Sequence, residues 1–138
     1  MFKTILFPID HSREAREAAQ MVANLVKTYS SHLFLLSVVE KSSPEEPSSA
    51  HSPVMASPEE VEKILQAAQA FFAQQDIEAD MVEREGKPSF TICDVADEIG
   101  ADLIVMGCRG LGLTTEGATE SVTTRVINLS PCPVLIVP

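Results

Sequence analysis

The chain has 138 residues, the length of one domain that can bury its own core, and we treat residues 1–138 as a single domain. Hydrophobic residues make up 45% and charged residues 22% of it, a composition that excludes a largely disordered protein. Twenty acidic against ten basic residues give a formal net charge of -10, so neither nucleic acid nor an anionic membrane is expected as a partner.

The cysteines and the N-terminus bear on the compartment. Cys93, Cys108 and Cys132 lack the paired spacing of a zinc site or a disulfide framework, and they fit a reduced, cytosolic protein. The N-terminus runs directly into a strand-like segment, without an apolar signal region or a run long enough to span a membrane. We therefore expect a cytoplasmic location.

The first part of the chain is predicted to form a strand, a helix and a second strand. Thr4–Ile9 and Leu33–Val39 are short, nearly continuous apolar runs, which are typical of strands covered on both faces. Between them, Ser12 is suited to cap a helix that runs to Tyr29 with apolar residues at three- and four-residue spacing.

The segment 41–57 is rich in Ser, Pro and Glu and has no periodicity, so the sequence predicts a mobile surface loop. Such long loops inside compact domains are usually functional or disordered, and a position over a binding site is a second interpretation. The stretch from Ser57 to Glu60 then combines an N-cap, a proline at the first helical position and a glutamate three residues after the cap. This pattern predicts a second helix, which ends before Gln74.

The rest of the chain continues the alternation of strands and helices. The predicted elements are a third strand at Ile77–Glu85, a third helix after Gly86–Ser89 that stops at Gly100, a fourth strand at Leu103–Met106, a fourth helix from Glu120 or Ser121 to Leu129, and a fifth strand at Pro133–Val137. This alternation predicts a doubly wound α/β fold, with a five-stranded parallel sheet in the usual order 3-2-1-4-5 and helices on both faces. Ligands bind such sheets beyond the carboxyl ends of the strands, where the strand order reverses.

The stretch from Gly107 to Val126 joins the fourth strand to the fourth helix through a loop with glycines at Gly107 and Gly110. A strand, a glycine loop and a helix N-terminus together make a cradle for phosphate, because the first backbone N–H groups of a helix are unpaired and carry partial positive charge. Glu120, however, stands at the start of this helix. The loop therefore either holds a nucleotide or has its anion site filled by the protein's own carboxylate.

Several segments resemble the universal stress protein family over essentially the whole chain. They are Ile5–Asp10 followed by Ser12, Gly86 before the third helix, Ala101–Gly107, Ser121–Thr123 and Pro131–Val137. The family's nucleotide-binding pattern is glycine, two residues, glycine, nine residues, glycine, then serine or threonine. Gly107, Gly110 and Ser121 match it, and Glu120 occupies the position of the third glycine.

The resemblance implies ATP or another adenine nucleotide as ligand. Mg²⁺ could accompany it by bridging Glu120 and the phosphates, because a metal held by one carboxylate and substrate phosphates is a common arrangement. By position it places Asp10 at the ribose and Val38 and Met106 near the adenine, and it places the glycine loop and the start of the fourth helix around the phosphates. The candidate nucleotide-binding residues are Pro8, Asp10, Val38, Met106, Gly107, Arg109, Gly110, Glu120, Ser121, Val122 and Thr123.

Structural roles compete with these assignments. Asp10 could serve only as a turn or helix-start carboxylate, and the two loop glycines could serve only the geometry of the turn. Arg109 either screens a phosphate or is a solvated side chain. Glu120 either repels phosphate or turns outward, in which case its backbone N–H replaces that of the glycine.

Two functions remain open after the sequence is considered. The chain has no P-loop, no G-x-S-x-G elbow and no Ser-His-Asp order, so the sequence predicts no catalytic residue, no dedicated metal site and at most a slow ATPase. One interpretation is a stress-response regulator that binds an adenine nucleotide. The alternative is a protein-interaction module of the same fold in which Glu120 blocks the phosphate site. We also expect an unidentified protein partner and a homodimer that pairs through the apolar edge strand Val134–Val137.

Overall fold

The computed structural model describes residues 2–9, 13–39, 58–107 and 122–137, and the elements below lie within these ranges. In chain order they are β1 (Thr4–Pro8), α1 (Arg13–Tyr29), β2 (His32–Val39), α2 (Pro58–Ala73), β3 (Ala79–Glu85), α3 (Pro88–Ile99), β4 (Leu103–Gly107), α4 (Val122–Leu129) and β5 (Val134–Val137). The predicted loop at 41–57 lies outside the described residues.

The five strands form one parallel sheet in the order β3-β2-β1-β4-β5. The predicted fold class and strand order are therefore confirmed. The order reverses between β1 and β4, because the chain first builds outward from β1 through β2 to β3 and then crosses back to β4. This reversal makes the carboxyl ends of β1 and β4 the expected ligand position.

Helices cover both faces of the sheet, and the side chains of β1 alternate between the two cores. Ile5 and Phe7 point to α1 and α2, where the rings of Phe7 and Phe72 make an edge-to-face contact at 6.3 Å between centroids. Leu6 points the other way and packs with Val126 of α4 in the core beneath α3 and α4. Because β1 is buried on both faces, its sequence is a continuous apolar run.

The third strand begins two residues later than the sequence predicted. Ile77 follows α2 and still closes its end, because its N–H donates to the Phe72 carbonyl at 2.9 Å and the preceding Asp76 adopts a positive φ of 62°. Ile77 is nevertheless buried. Its apolar side chain therefore belongs to a helix terminus rather than to a strand.

Other boundaries agree with the prediction to within a residue or two. Gly100 ends α3 in the left-handed conformation, with φ 66°, as its position in the sequence predicted. β4 extends one residue further than predicted, to Gly107, which pairs with Val137. Within the described ranges, no helix is both long enough and apolar enough to cross a membrane.

Candidate functional site

The candidate site lies at the carboxyl end of the sheet, where β1 and β4 are no longer paired. The two strands pair at Ile5 with Leu103 and at Leu6 with Ile104, although β1 continues to Pro8 and β4 to Gly107. On the other side of β1, pairing with β2 persists as far as Pro8. The hydrogen-bonded ladder between β1 and β4 therefore ends early, at the reversal of strand order, and we call this end of the ladder the opening between β1 and β4.

Pro8 explains why the sheet opens at this point. The N–H of Ile9 donates to the Leu36 carbonyl of β2 at 2.8 Å. In a parallel strand, successive residues direct their N–H groups to opposite neighbours, so the nitrogen of Pro8 faces β4. Proline has no hydrogen to donate there. A buried proline in a central strand is otherwise uncommon, and here it ends the ladder beside the predicted binding position.

Three of the predicted site residues border the core beneath α3 and α4. Val38, at the end of β2, and Val122, the first residue of α4, are half-buried and pack against this core. Met106 is fully buried, with an exposed fraction of 0%. Its side chain is therefore a packing residue, and the backbone of Met106 is the part that a ligand can contact.

Thr123 is the described site residue with the most unusual environment. It lies in the first turn of α4 and is only 3% exposed. Its Oγ1 is fully enclosed and has no hydrogen-bond partner in the part of the chain that the structure describes. A buried hydroxyl without a partner costs free energy, about 1–3 kcal/mol for a typical group, so such atoms are uncommon in native proteins.

The remaining predicted site residues are Asp10, Arg109, Gly110, Glu120 and Ser121, and they lie outside the described residues. The described part of the site thus consists of Pro8, Val38, Met106, Gly107, Val122 and Thr123, contributed by β1, β2, β4 and the start of α4. These elements meet at the carboxyl end of the sheet, as the strand order requires.

Two residues at this end of the sheet were not among the predicted site residues. Arg84 pairs with Val38 across the β2–β3 ladder, two residues before Gly86. Gly86 donates its N–H to the Val39 carbonyl at 2.9 Å and has φ 151°, and a Cβ on it would lie 2.8 Å from Oγ1 of Thr91. Alternate residues of β3 point to the same face of the sheet. The sequence could have placed Arg84 beside Val38 only if the pairing register of β3 with β2 had been known.

The described thiols pack in the core beneath α3 and α4, where Cys93 is a residue of α3 and Cys132 lies in the connection from α4 to β5. Burial raises the pKa of Cys93 above its ordinary value of 9.0, and the charges of Asp94 and Cys132 raise it further. Burial also raises the pKa of Cys132, against the lowering effect of its hydrogen bond with Ser130. Both thiols are therefore protonated at neutral pH, as structural rather than nucleophilic cysteines are.

Comparison with known proteins identifies the family of this fold. The sequence pattern of the universal stress protein family matches residues 1–138. The chain belongs to the universal stress protein family. Universal stress protein Sll1654 of Synechocystis sp. is 71% identical over 138 residues, which are 100% of this chain and 87% of that protein.

Solved structures of family members have the same fold. UspA from Lactobacillus plantarum is 25% identical, with a TM-score of 0.77 over 99% of this chain and 98% of that one. A universal stress protein in complex with cAMP is 21% identical, with a TM-score of 0.76 over 99% and 97% of the two chains. The family member from Archaeoglobus fulgidus in complex with dAMP is 16% identical, with a TM-score of 0.73 over 100% and 98%.

Proposed function

We propose that this universal stress protein is a stress-response regulator that binds ATP or another adenine nucleotide in the opening between β1 and β4. The observation that carries the proposal is the buried hydroxyl of Thr123 at the start of α4, which has no partner among the described residues. A nucleotide bound at the N-terminus of α4, which favours an anion through its helix dipole, would supply the missing hydrogen-bond partner once binding rearranges the residues that enclose this hydroxyl.

Two further observations support the choice of ligand. The sheet opens beside Pro8 at the reversal of strand order, where doubly wound folds bind nucleotides. Two solved proteins of the same fold are complexes with cAMP and dAMP, ligands that share an adenine, a five-membered sugar ring and a single phosphate. Adenine and one phosphate are therefore the two parts of the ligand that we expect to contribute most of the affinity.

Mg²⁺ enters this proposal only together with a triphosphate. No group of three His, Cys, Asp or Glu side chains suited to a metal is present among residues 2–9, 13–39, 58–107 and 122–137. A metal that arrives with the nucleotide would be held by phosphate oxygens and one carboxylate, for which Glu120 is the candidate.

The alternative function is a protein-interaction module whose phosphate site is filled by Glu120. The observation in its favour is the glutamate at the position where the family pattern has its third glycine. In that case, the site would take adenosine-like ligands or none, and the protein would act through contacts with a partner protein. The two functions differ in whether phosphate adds affinity.

Calorimetric titration of the full chain with ATP, AMP and adenosine tests the proposal. We expect binding of AMP or ATP at micromolar to millimolar concentration, and we expect Thr123→Val to weaken it about fivefold, as the loss of one hydrogen bond predicts. Thr28→Val, which changes an exposed threonine near the end of α1, is the matched control. If no adenine compound binds to the unmodified chain, the proposal is wrong, and if only adenosine binds, the alternative is correct.

Two expectations about the cellular form accompany the proposal. We propose a cytoplasmic homodimer that pairs through β5, whose Val134, Leu135 and Ile136 are half-buried in the single chain and which lies at one edge of the sheet. An apolar edge strand with open backbone groups favours pairing with a second copy. Light scattering at micromolar concentration should give twice the mass of one chain, and a monomer at all concentrations would contradict the dimer.

A further inference from the structure

Arg84 lies beside the part of the site predicted to hold the adenine. β2 and β3 pair in parallel register, with Leu36 opposite Val82 and Val38 opposite Arg84. Paired residues in neighbouring parallel strands point to the same face and are about 4.8 Å apart along the hydrogen-bonding direction. The side chain of Arg84 therefore begins one strand away from Val38.

The face that Arg84 shares with Val38 is the one covered by α3 and α4. Val38 and Val82 both pack against the core beneath these helices, and Arg84 follows Val82 by two residues in the same strand. Val38 is half-buried and Arg84 is exposed. The helices on this face therefore no longer cover the sheet at the level of these two residues. If a flat group rests on Val38, the longer side chain of Arg84, which starts beside Val38, can fold over the outer face of that group.

The turn after β3 fixes the position of this strand end. Gly86 is bonded to the Val39 carbonyl and has a positive φ, and Thr91 of α3 lies against its α-carbon, so a larger residue at 86 would collide with α3. The end of β3, the end of β2 and the start of α3 therefore form one wall of the opening. Arg84 Nη1 donates to the Glu83 carbonyl at 3.2 Å, a long bond at an exposed position that water can replace.

The chemistry of a guanidinium suits the base rather than the phosphate at this position. Arginine is planar and stacks on aromatic rings, and its N–H groups donate to ring nitrogens. The phosphate cradle, by contrast, is expected at the start of α4, which follows β4, and β1 and β2 separate β4 from β3 in the sheet. A side chain on β3 therefore lies on the base side of the opening.

We propose that Arg84 recognises the adenine base, with its guanidinium stacked on the outer face of the ring while Val38 contacts the inner face. This inference rests on the proposed nucleotide-binding function and assigns it a residue that determines affinity for the base. Its consequence is that removal of the guanidinium weakens every adenine ligand by the same factor, whether or not the ligand carries phosphate.

The test is calorimetric titration of Arg84→Gln, Arg84→Lys and the unmodified full chain with adenosine, AMP and ribose 5-phosphate. We expect Arg84→Gln to bind adenosine and AMP about five- to tenfold more weakly, in equal measure, with no change for ribose 5-phosphate. Arg84→Lys should show nearly the same loss, because lysine keeps the charge but lacks the plane. Lys27→Gln, which removes one charge from the last turn of α1, is the matched control and should bind as the unmodified chain does.

Each other outcome contradicts the inference in a distinct way. Unchanged adenosine affinity in Arg84→Gln would show that Arg84 does not contact the base. A loss confined to AMP and restored in Arg84→Lys would show a phosphate contact instead. Failure of the unmodified chain to bind adenosine or AMP would overturn the proposed function and this inference together, whereas normal binding by the variants would overturn this inference alone. Thermal unfolding of both variants shows that they are folded.

Discussion

The two ends of the β1–β4 pair are built in opposite ways. At the amino end, the N–H of Thr4 donates to Oδ2 of Asp102 at 3.0 Å, and the N–H of Asp102 donates back to the Thr4 carbonyl at 2.8 Å. At the carboxyl end, Pro8 removes the donor that would continue the ladder, and the strands are unpaired after Leu6 and Ile104. One end of the same strand pair is closed by two reciprocal hydrogen bonds, and the other is open.

From this contrast we expect the closed end to contribute to stability and the open end to contribute to ligand binding. Thr4 and Asp102 at the closed end satisfy each other's hydrogen bonds. At the open end, β1 and β4 are no longer paired with each other, and the Thr123 hydroxyl has no partner within the described ranges. Substitutions at the closed end should therefore change the free energy of unfolding, and substitutions at the open end should change ligand affinity.

The largest effect is expected on nucleotide affinity, from Glu120→Gly, a substitution that restores the third glycine of the family pattern. Two unit charges about 4 Å apart at an effective dielectric near 20 repel by about 4 kcal/mol, so this substitution should strengthen ATP binding by up to about a thousandfold as an unrelaxed upper figure. Added Mg²⁺ should reduce the gain, because the metal can bridge Glu120 and the phosphates. Calorimetric titration of ATP into both proteins, with and without Mg²⁺, measures the effect.

Adenosine serves as the control for Glu120→Gly, since it carries no phosphate and its affinity should not change. Equal ATP affinities for the unmodified chain and the variant would contradict the prediction. That result would mean that the carboxylate turns outward and that the backbone N–H of residue 120 serves as the glycine's would.

A smaller effect is expected at the closed end, from Asp102→Ala. The variant loses a hydrogen bond between a backbone N–H and a carboxylate, and because Asp102 is exposed we expect a loss of about 1–2 kcal/mol in the free energy of unfolding. Urea denaturation measures it, and Asp97→Ala, an exposed aspartate on α3, is the matched control. A change of nucleotide affinity without a change of stability would break the distinction between the two ends.

Most of the fold could be predicted from the sequence, because the apolar runs of β1, β2, β4 and β5 and the helix signals of α2 and α3 are strong local features. β3 was less well predicted. As an edge strand, it buries only Ala79 fully, so it lacks the continuous apolar run that marks an inner strand. Its start was placed too early because Ile77 is buried by the end of α2, a tertiary contact that a local pattern does not reveal.

The site was predictable in its position but not in its particulars. The carboxyl ends of the strands follow from the alternation of strands and helices alone. The roles of Pro8 and Arg84 depend on which neighbour each strand position faces, and that is set by the pairing register. The environment of the Thr123 hydroxyl depends on how α3 and α4 pack, which no spacing of residues specifies.

A still smaller effect is expected from Pro8→Ala, which restores the missing N–H on the side that faces β4. A new hydrogen bond to β4 contributes about 1 kcal/mol, and the loss of proline's rigidity offsets it by a similar amount, so we expect little change in stability. Ligand affinity should fall about fivefold, because the bond must break when the strands separate around a nucleotide. Titration with AMP, together with hydrogen exchange at residue 8, measures both. Rapid exchange of the new amide at position 8 of the variant would show that Pro8 does not cause the opening.

The smallest effect concerns the thiols, which belong to neither end of the β1–β4 opening. Burial is the main reason that the pKa values of Cys93 and Cys132 are raised in the folded chain above the ordinary 9.0. Well below pH 9, both thiols are protonated in the folded and unfolded states, so their contribution to stability is constant. Above this pH, the unfolded chain releases its thiol protons first, and stability is lost as the pH rises towards the folded pKa values.

Denaturation with urea at about pH 8 and at about pH 10, on either side of the ordinary thiol pKa, measures this loss, and the double variant Cys93→Ala/Cys132→Ala is the comparison. The variant should be less stable than the unmodified chain at the lower pH, because buried side chains have been shortened, but its stability should fall less between the two pH values. The reaction of both thiols with a thiol reagent should also be slower in the folded chain at the lower pH than in the denatured one. Equal pH dependence of the two proteins would mean that other groups govern the alkaline loss, and fast reaction at the lower pH would mean that these thiols are not held in their protonated form.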